Sequence, residues 1–395
     1  MPMPSLNLPS PFDTQKPIDF VEADLTYTLF FRGIDYFAAL EQSILEAKYE
    51  ILIESYIFHF DHVGQSILLK LQEAALRGVA VRLLVDGIGS IEDIPEIANF
   101  CKLCGITFEV YHPLPLQSQI SHHSPLLTYQ SLRKRLALIG RVNKRNHRKL
   151  VLIDQRLVYL GSLNICAAHM DQPGLPAWRD TGLRASGSDV KLIKREMDVT
   201  WERAVRFWWP APRMRRLPIW LRLNSRARWR RRTKRSLFHF ITHAEKRILI
   251  TTPYFVPEHR LLSRLIKAAE RGVEVGVLVP HVSDVFIVKH ASRAFYRDLM
   301  QRGIQIWEYM PSVLHAKTLI IDDYGFVGSY NMNHRSFLHD LEIEIVTKNT
   351  RVVDELLKQW QADLAVSQSA ETSLKRLRKR DRMLSWFFQL FKHWL

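Results

Sequence analysis

The sequence predicts an α/β fold built from two copies of one unit, each with its own sheet. Three repeated segments indicate this: AALRGVAVRLLV at 74–85 recurs as AAERGVEVGVLV at 268–279, EAKYEILIESYIF at 46–58 matches HAEKRILITTPYFV at 243–256, and GITFEVY at 105–111 matches GIQIWEY at 303–309. The first two read as the end of a helix followed by an apolar strand, and the third reads as a strand. Each copy therefore has the order β-α-β-α-β, which is typical of a largely parallel sheet.

The bulk composition is that of a globular protein with an anionic partner. With 395 residues, 47% of them hydrophobic and 24% charged, the chain is long enough for two domain-sized cores. Its formal net charge of +16 predicts binding to nucleic acid, to anionic lipid headgroups or to a phosphorylated substrate. Charge alone does not distinguish these three classes.

Cysteine usage and hydropathy argue against a disulfide framework, a zinc site and a membrane span. Three cysteines are too few for a framework, and Cys101 and Cys104 lack the further ligands of a zinc site, so we expect both to pack in the core. No segment approaches about 18 uninterrupted apolar residues, so no transmembrane helix is predicted. The N-terminus lacks the basic region and the apolar stretch of a secretory signal, and residues 1–20 are predicted to be a flexible leader.

The repeats divide the remainder of the chain into four parts. We predict a first domain at 21–200, a basic connector at 201–236, a second domain at 237–366 and a basic amphipathic tail at 367–395. The first domain carries an insertion of about thirty residues between Tyr111 and His147, which would be a lid, a membrane-facing loop or a surface embellishment.

The connector and the tail combine basic with apolar residues. Among the arginines of the connector lie Trp208, Trp209, Trp220 and Trp229. This composition is typical of a membrane interface or of a single-stranded nucleic-acid site, and a solvated linker is the third interpretation. In the tail a basic block precedes an apolar helical stripe, which would lie in a membrane interface or pack on the protein's own core. The stripe consists of Leu384, Phe387, Phe388, Phe391, Trp394 and Leu395.

One motif occurs twice, as HRKLVLIDQRLVYLGSLN at 147–164 and as HAKTLIIDDYGFVGSYN at 315–331. In an extended strand, residues two apart point to the same face. His147 is therefore expected beside Lys149, and His315 beside Lys317. Each copy offers one imidazole and one ammonium group on a common surface.

The other polar positions of the motif have different predicted roles. Asp154 and Asp322 lie at an odd offset from their histidines and precede turn-forming residues, so alternation assigns them to a turn rather than to a general base. A Gly-Ser-x-Asn sequence ends each copy, and its serine and asparagine share a face from which both can hydrogen-bond a phosphate oxygen. These phosphate-binding candidates are Ser162, Asn164, Ser329 and Asn331.

Each copy of the motif supplies half of a site. If a pseudo-two-fold axis joins the copies, two histidines and two lysines surround one phosphodiester. One imidazole would attack phosphorus while the other protonates the leaving alkoxide, and water or an alcohol would then release the phosphoryl group. Because the lysines supply the positive charge, no metal and no cofactor is expected.

A carboxylate is expected to fix the tautomer of each histidine. Asp180, in WRDTGLR, and Glu342, in RSFLHDLEIEI, follow the two Gly-Ser-x-Asn sequences and are the candidates. Glu344 is an equally acidic neighbour of Glu342, and the pattern does not separate the two.

These motifs resemble those of the phospholipase D superfamily, whose members carry two H-x-K-x4-D sequences, each followed by Gly-Ser-x-Asn. The likeness extends from about Leu25 to Leu364 and, within the superfamily, is greatest to the bacterial cardiolipin synthases of the shorter B type, which lack N-terminal transmembrane helices. Supporting stretches are FVPEHRLL, LHAKTLIID, NMNHRSFLHDLE and WRDTGLRASG. The chain departs from the family at Asn333-His334, where members often have Asp-Pro.

The resemblance implies two tandem, pseudo-symmetric α/β/α domains that share one active site at their interface. It implies a phosphatidyl-histidine intermediate on His147, with His315 as the acid and base. It also selects Glu342 over Glu344 and implies that Asp180 orients His147. The catalytic motif residues of the family correspond here to His147, Lys149, Asp154, His315, Lys317 and Asp322.

The implied reaction transfers a phosphatidyl group between two phosphatidylglycerol molecules and yields cardiolipin and glycerol. A hydrolytic phospholipase D and a metal-independent nuclease are the alternatives, and two intact His-Lys pairs argue against a non-catalytic anion-binding scaffold. The expected partners are a phospholipid substrate and an anionic membrane surface rather than nucleic acid. The expected location is peripheral, on the cytoplasmic face of the bacterial inner membrane.

Overall fold

The structure, a computed structural model, describes residues 19–22, 25–114, 143–206, 218 and 220–375. Most of the leader, most of the insertion, Trp208 and Trp209, and the apolar stripe of the tail lie outside the described residues. The interpretations of these segments stay predictions.

The first half forms one eight-stranded sheet in the order β1-β2-β8-β7-β6-β3-β4-β5. Its strands are β1 (Asp19–Glu22), β2 (Leu25–Phe30), β3 (Glu50–Ser55), β4 (Ala80–Asp86), β5 (Thr107–Tyr111), β6 (Leu150–Ile153), β7 (Leu157–Gly161) and β8 (Gly182–Gly187). Its helices are α1 (Gly33–Glu46), α2 (His62–Leu76), α3 (Ile94–Leu103) and α4 (Lys191–Val205), with short 3-10 turns at Ala167–His169 and Ser188–Val190.

The second half repeats this arrangement in the order β16-β12-β11-β10-β13-β14-β15-β9. Its strands are β9 (Leu221–Leu223), β10 (Arg247–Thr251), β11 (Glu274–Pro280), β12 (Gln305–Tyr309), β13 (Thr318–Ile321), β14 (Tyr324–Gly328), β15 (Ile343–Thr347) and β16 (Ser367–Ser369). Its helices are α5 (Ala227–Thr242), α6 (His259–Glu270), α7 (Phe286–Gln301), α8 (His334–Leu338), α9 (Thr350–Ala365) and α10 (Ala370–Lys375). The predicted two-copy α/β architecture is confirmed.

The prediction of a largely parallel sheet holds for only three strands of each half. β3, β4 and β5 run parallel, as do β10, β11 and β12. The other strand pairings of the two described sheets are antiparallel. The reason is that each motif folds as a hairpin, β6-β7 or β13-β14, and strands joined by a short turn must run antiparallel.

Part of the connector belongs to the second sheet rather than to a free linker. β9 pairs with β15, and Trp220 and Trp229 both pack against the hydrophobic core. The helical period of α5 aligns Trp229 with Leu237 and Ile241 on the buried face. The interpretation of Trp229 as a membrane-facing or base-stacking side chain is therefore wrong.

Apolar side chains from both halves form one central core. Leu52 and Leu183 of the first half belong to the same buried cluster as Leu278 and Ile343 of the second. Each fully buried aliphatic side chain contributes about 1.5–3 kcal/mol, so this shared cluster holds the two sheets together. Each half also has its own outer core under its helices.

Cys101 lies in the outer core of the first half and Cys104 packs against it, as predicted. Of the helices within the described residues, none combines the length and the apolar character that crossing a bilayer requires.

Candidate active site

The two motif segments begin where the halves meet. The backbone N–H of His147 donates to the carbonyl of Leu341, 3.0 Å away in the second half, and that of His315 donates to the carbonyl of Arg179, 2.8 Å away in the first half. Two contacts of 3.0 and 2.9 Å join the guanidinium of Arg179 to the carboxylate of Asp363. The backbone of the opposite half thus positions each histidine.

Each histidine also faces a buried carboxylate from the opposite half. His147 Nδ1 lies 3.1 Å from both oxygens of Glu342, and His315 Nδ1 lies 2.8 Å from Oδ1 of Asp180. The implied contact between Asp180 and His147 is wrong, because Asp180 directly follows Arg179, whose carbonyl pairs with the His315 backbone. Since each Nδ1–H donates to a carboxylate, Nε2 of each ring carries the lone pair.

Glu344 has a separate partner. It accepts a hydrogen bond from Nη1 of Arg222 at 2.9 Å, and both side chains are buried. Glu342 is therefore the carboxylate of the site, as the resemblance implies.

The glycine of each Gly-Ser-x-Asn sequence permits a close approach of two chain segments. A Cβ atom would lie 2.4 Å from the carbonyl oxygen of Thr181 at Gly161, and 2.2 Å from that of Ile343 at Gly328. Thr181 directly follows Asp180, and Ile343 directly follows Glu342. Any side chain at these glycines would push the carboxylate segment away from the motif hairpin.

The two lysines make different contacts. Nζ of Lys317 lies 2.9 Å from Nε2 of His315 and 2.8 Å from its carbonyl oxygen. Nζ of Lys149 donates to the carbonyl of His147 at 2.9 Å and lies 5.0 Å from the centre of the Tyr56 ring, which itself packs 4.8 Å from the His147 ring. Tyr56 is a site residue that the sequence reasoning missed.

Burial lowers the pKa of all four basic groups, and repulsion between the cations adds to it at His147, Lys149 and His315. Burial, with the charges of Lys149 and Lys317, holds the pKa of His147 well below its ordinary range. Burial and then Lys317 lower the pKa of His315 to about 3. Burial and Lys317 lower the pKa of Lys149 to about 7, and burial lowers the pKa of Lys317 to about 8. Because Lys317 acts on both groups of the first motif, the two motifs share one electrostatic environment.

The two carboxylates differ in ionisation. Burial raises the pKa of Glu342 to about 7, against the opposing effect of Lys149. Burial alone would also raise the pKa of Asp180, but the electrostatic attraction and the hydrogen bonds of His169 and His315 outweigh it and hold that pKa well below its ordinary range. Asp180 therefore stays ionised at neutral pH, whereas Glu342, with a pKa of about 7, changes its charge near neutral pH.

The motif serines bond the protein instead of facing outward. Ser162 Oγ accepts from the N–H of Thr181 at 2.9 Å, and Ser329 Oγ donates to Glu342 at 2.5 Å and accepts from the N–H of Ile343 at 3.1 Å. These contacts correct the predicted phosphate-binding role of both serines, because each hydroxyl ties its hairpin to a carboxylate segment.

The motif asparagines are buried at the same site. Oδ1 of Asn164 accepts from the N–H of Ile57 at 3.3 Å. Oδ1 of Asn331 is buried and has no hydrogen-bond partner among the described residues. The Asn331 amide therefore remains a candidate for contact with substrate.

Asp154 and Asp322 lie at the far end of their strands from the histidines. The carboxylate of Asp154 accepts three backbone N–H groups, from Lys48, Tyr49 and Glu50, at 2.8–2.9 Å. That of Asp322 makes the equivalent contacts with 245–247, and both aspartates have a φ of 50°. They anchor the hairpin turns, as alternation predicts, and the catalytic role that the family motif implies for them is wrong.

His169 is a second site residue that the sequence reasoning missed. Its Nδ1 lies 2.6 Å from Oδ2 of Asp180, and its Nε2 accepts the backbone N–H of Asn164 at 3.1 Å. An acceptor Nε2 leaves the proton on Nδ1, so His169 donates to Asp180 just as His315 does. In the second half, the N–H of Asn331 donates to Ser336 Oγ at 3.3 Å, so a serine occupies the equivalent position.

His169, Asp180 and His315 bring three side chains of kinds that can bind a metal within 4.8 Å of one another. Their ligand atoms already have partners, since each Asp180 oxygen accepts from one histidine and Nε2 of His169 accepts from Asn164. The cluster is thus a hydrogen-bond network that aligns His315.

Comparison with known proteins identifies relatives along most of the chain. A family model described as the cardiolipin synthase, phospholipase D-like domain matches residues 40–172 and 237–364. A cardiolipin synthase of Halalkalibacterium halodurans is 29% identical over 372 residues, which cover 91% of this chain and 69% of that protein. Cardiolipin synthase B of Escherichia coli K12 is 30% identical over 327 residues, which cover 80% of this chain and 74% of that protein.

Two solved structures share the fold. The phosphatidylserine synthase of Haemophilus influenzae Rd KW20 superposes with a TM-score of 0.69 at 13% identity, over 96% of this chain and 97% of its own. The polyphosphate kinase of Porphyromonas gingivalis gives a TM-score of 0.61 at 14% identity, over 87% of this chain and 48% of its own.

Proposed function

Because the chain belongs to the cardiolipin synthase family of phospholipase D-like proteins, we propose that it joins two phosphatidylglycerol molecules into cardiolipin and releases glycerol. Membership of this family makes the chain a phosphatidyltransferase of the phospholipase D superfamily. The donor, the acceptor and the histidine intermediate are part of the proposal.

The observation that carries the proposal is the crossed pairing of histidines and carboxylates. Each half supplies one histidine, one lysine and the carboxylate for the other histidine. One phosphodiester would meet two imidazoles with available Nε2 lone pairs, while the two lysines balance the charge of its non-bridging oxygens. These are the groups that a two-step transfer through a covalent phosphatidyl-histidine requires.

The contacts of His315 suit the acid and base. Asp180 stays ionised, and an ionised carboxylate on Nδ1 stabilises the imidazolium that a general acid or base must form. Lys317 lies 2.9 Å from Nε2 of His315 and can pass a proton to it. Each lysine donates to the carbonyl of its own histidine, but of the two only Lys317 also contacts an Nε2 among the described residues, which supports His147 as the nucleophile.

The transfer then proceeds in two balanced steps. Nε2 of His147 attacks phosphorus, the bond to the glycerol oxygen breaks, and that oxygen takes up a proton that Lys317 passes through Nε2 of His315, so that free glycerol leaves. The primary hydroxyl of a second phosphatidylglycerol next loses its proton to His315, which returns a proton to Lys317, and the resulting alkoxide attacks phosphorus. The bond between phosphorus and Nε2 breaks, which releases cardiolipin and restores both rings.

The substrates are bilayer lipids, so the enzyme must work at a membrane surface. The formal charge of +16 supports an anionic surface as its partner. We place it as a peripheral protein on the cytoplasmic face of the inner membrane, where phosphatidylglycerol would supply both substrate and negative charge.

The deciding experiment incubates the full chain with phosphatidylglycerol vesicles in EDTA and quantifies lipid products and free glycerol. We expect equal amounts of cardiolipin and glycerol, and a His147→Ala variant should form neither. Phosphatidic acid as the sole lipid product would identify a hydrolase, and cutting of DNA without lipid turnover would identify a nuclease. Full activity of His147→Ala would overturn the mechanism.

A further inference from the structure

Helix α5 (Ala227–Thr242) presents an exposed cationic face. The buried face consists of Trp229, Thr233, Leu237 and Ile241, spaced four residues apart. The opposite face carries the exposed side chains of Arg228, Arg231, Arg232 and Arg235, and the helix contains no Asp or Glu. Trp229, which was expected to face a membrane, is buried against the protein core, whereas the four arginines are exposed to solvent.

This charge pattern does not stabilise the helix. Cations in the first turns of a helix oppose its dipole, which favours negative charge at the N-terminus. Arg228 with Arg232, and Arg231 with Arg235, are like-charged pairs at i,i+4, a spacing at which like charges repel. An anionic partner on this face would offset both effects.

The start of α5 is attached to the segment that positions Glu342. The guanidinium of Arg230 donates to the carbonyls of Leu338 and His339, the latter at 3.0 Å. Asn224, just before the helix, accepts the N–H of Glu342 at 2.6 Å and donates to the carbonyl of Asp340 at 2.7 Å. The arginine face therefore begins beside the active site.

Exposed apolar side chains lie at the same end of the second half. The carboxyl ends of β11 and β12 neighbour the start of β13, where Lys317 and His315 lie, because β13 is antiparallel to β10. Val282 and Val285 follow β11, Met310 follows β12, and Leu338 lies at the end of α8, and all four are exposed. Leu76 and Leu103 are also exposed, but they lie at the helix ends that point away from the site.

We infer that the arginine face of α5 and this apolar rim form one docking surface for an anionic phospholipid bilayer. The rim is Val282, Val285, Met310 and Leu338. Arginines bind lipid phosphates while small apolar side chains enter the headgroup layer, a combination typical of proteins that lie on a membrane. A lipid headgroup could then reach His147 and His315 without leaving the bilayer. The inference rests on the proposed lipid substrate.

The test compares two triple variants of the full chain that remove the same charge. Arg228→Gln, Arg231→Gln and Arg235→Gln remove three cations from the docking surface. Lys102→Gln, Lys267→Gln and Arg351→Gln remove three exposed cations near helix ends on the side away from the site and serve as the matched control. Binding is measured by sedimentation with phosphatidylglycerol–phosphatidylcholine vesicles at several salt concentrations.

We expect the docking variant to bind on the order of 100-fold more weakly than the wild type, from the contribution of three basic residues near an anionic leaflet. The control should bind within about threefold, because its cations lie away from the bilayer. A second variant, Val282→Glu with Met310→Glu, should also weaken binding, since it puts carboxylates into the apolar rim. Unchanged binding by the docking variant, or an equal loss in the control, would overturn the inference.

Activity on a short-chain phosphatidylglycerol below its micelle concentration separates the docking surface from the chemistry. All three variants should turn over this soluble lipid at the wild-type rate, because none changes a group of the site. If even the wild type leaves it unchanged, the proposed function fails, whereas vesicle binding still tests the docking surface. Loss of single-stranded DNA binding with unchanged vesicle binding would assign the arginines to nucleic acid and overturn the inference.

Discussion

Nδ1 of His315 lies 2.8 Å from Oδ1 of Asp180, although the two residues belong to different halves of the chain. The reciprocal contact, from His147 to Glu342, crosses the interface in the opposite direction. Neither half therefore contains both a motif histidine and the carboxylate that pairs with it. Separation of the halves would take the motif histidine away from each of these two buried carboxylates, so the site depends on the central core that the repeats share.

The crossed pairing predicts different defects for Asp180→Asn and Glu342→Gln. Each should lower kcat by roughly 10³-fold, because an amide no longer holds the correct tautomer of its histidine. With an activated substrate such as phosphatidyl-p-nitrophenol, Asp180→Asn should still release a burst of p-nitrophenol and then stall, since His315 is needed to activate the acceptor. Glu342→Gln should give no burst, because the nucleophile His147 is misaligned. The opposite pattern in stopped-flow traces would reverse the roles of the two histidines.

His169 is expected to act as a positioning residue for Asp180. His169→Ala would leave Oδ2 of Asp180 without its 2.6 Å donor, so the pKa of Asp180 should rise and its hold on His315 should weaken. We expect kcat to fall about 10- to 100-fold, as is typical when a supporting hydrogen bond is removed, and the acidic limb of the pH profile to move to higher pH.

His169→Asn is the matched variant, because its Nδ2 can replace the Nδ1 donor. It should recover part of the activity and return the acidic limb toward the wild type. If both variants lose activity alike with no change in the pH profile, His169 only supports the local packing.

Much of this arrangement follows from repetition along the chain, and the rest depends on contacts between the copies. His147 and His315 were predictable because strand alternation within one short segment decides their neighbours. The pairing of Asp180 with His315 was not predictable, since it depends on how the two sheets meet. His169 has a serine, Ser336, at the equivalent position of the other half, so the repeat gave no signal for it. The burial of Trp229 was not predictable either. It follows from the helical period of α5, which places Trp229 on the buried face, and the Arg-rich composition of this segment gave no sign of a helix.

The two site lysines predict an alkaline limit on activity. Burial lowers the pKa of Lys149 to about 7 and that of Lys317 to about 8, and each is charged only below its pKa. We expect kcat/KM, which reports the free enzyme, to fall in two steps as pH rises through about 7, where Lys149 loses its charge, and about 8, where Lys317 does. The fall in kcat should come at higher pH, because a bound phosphate raises the pKa of both lysines.

Both constants can be measured on short-chain phosphatidylglycerol at constant ionic strength. Lys317→Arg provides the control, since an arginine does not titrate in this range. It should lower the overall rate and remove the step of the alkaline limb of kcat/KM near pH 8, while the step set by Lys149 remains. An unchanged limb in this variant would show that another group sets the limit.

The turn aspartates should affect stability rather than chemistry. Asp154→Ala removes the acceptor of three backbone N–H groups and puts alanine at a φ of 50°, so we expect a loss of about 2–4 kcal/mol and a melting temperature lower by several degrees. Asp154→Asn should be milder, because asparagine keeps one acceptor oxygen and tolerates a positive φ.

The contribution of Asp322 to stability should depend on pH. Burial acts to raise the pKa of Asp322, but the hydrogen bonds from the backbone N–H groups outweigh it and lower that pKa below 3.8. The stabilisation is therefore present above pH 3.8 and is lost as pH falls through the lowered pKa. At a temperature where each variant is folded, kcat should stay within about threefold of the wild type, whereas a catalytic aspartate would cost roughly 10³-fold. Calorimetry paired with product formation distinguishes these outcomes, and a large loss of kcat at an unchanged melting temperature would return the aspartates to the catalytic machinery.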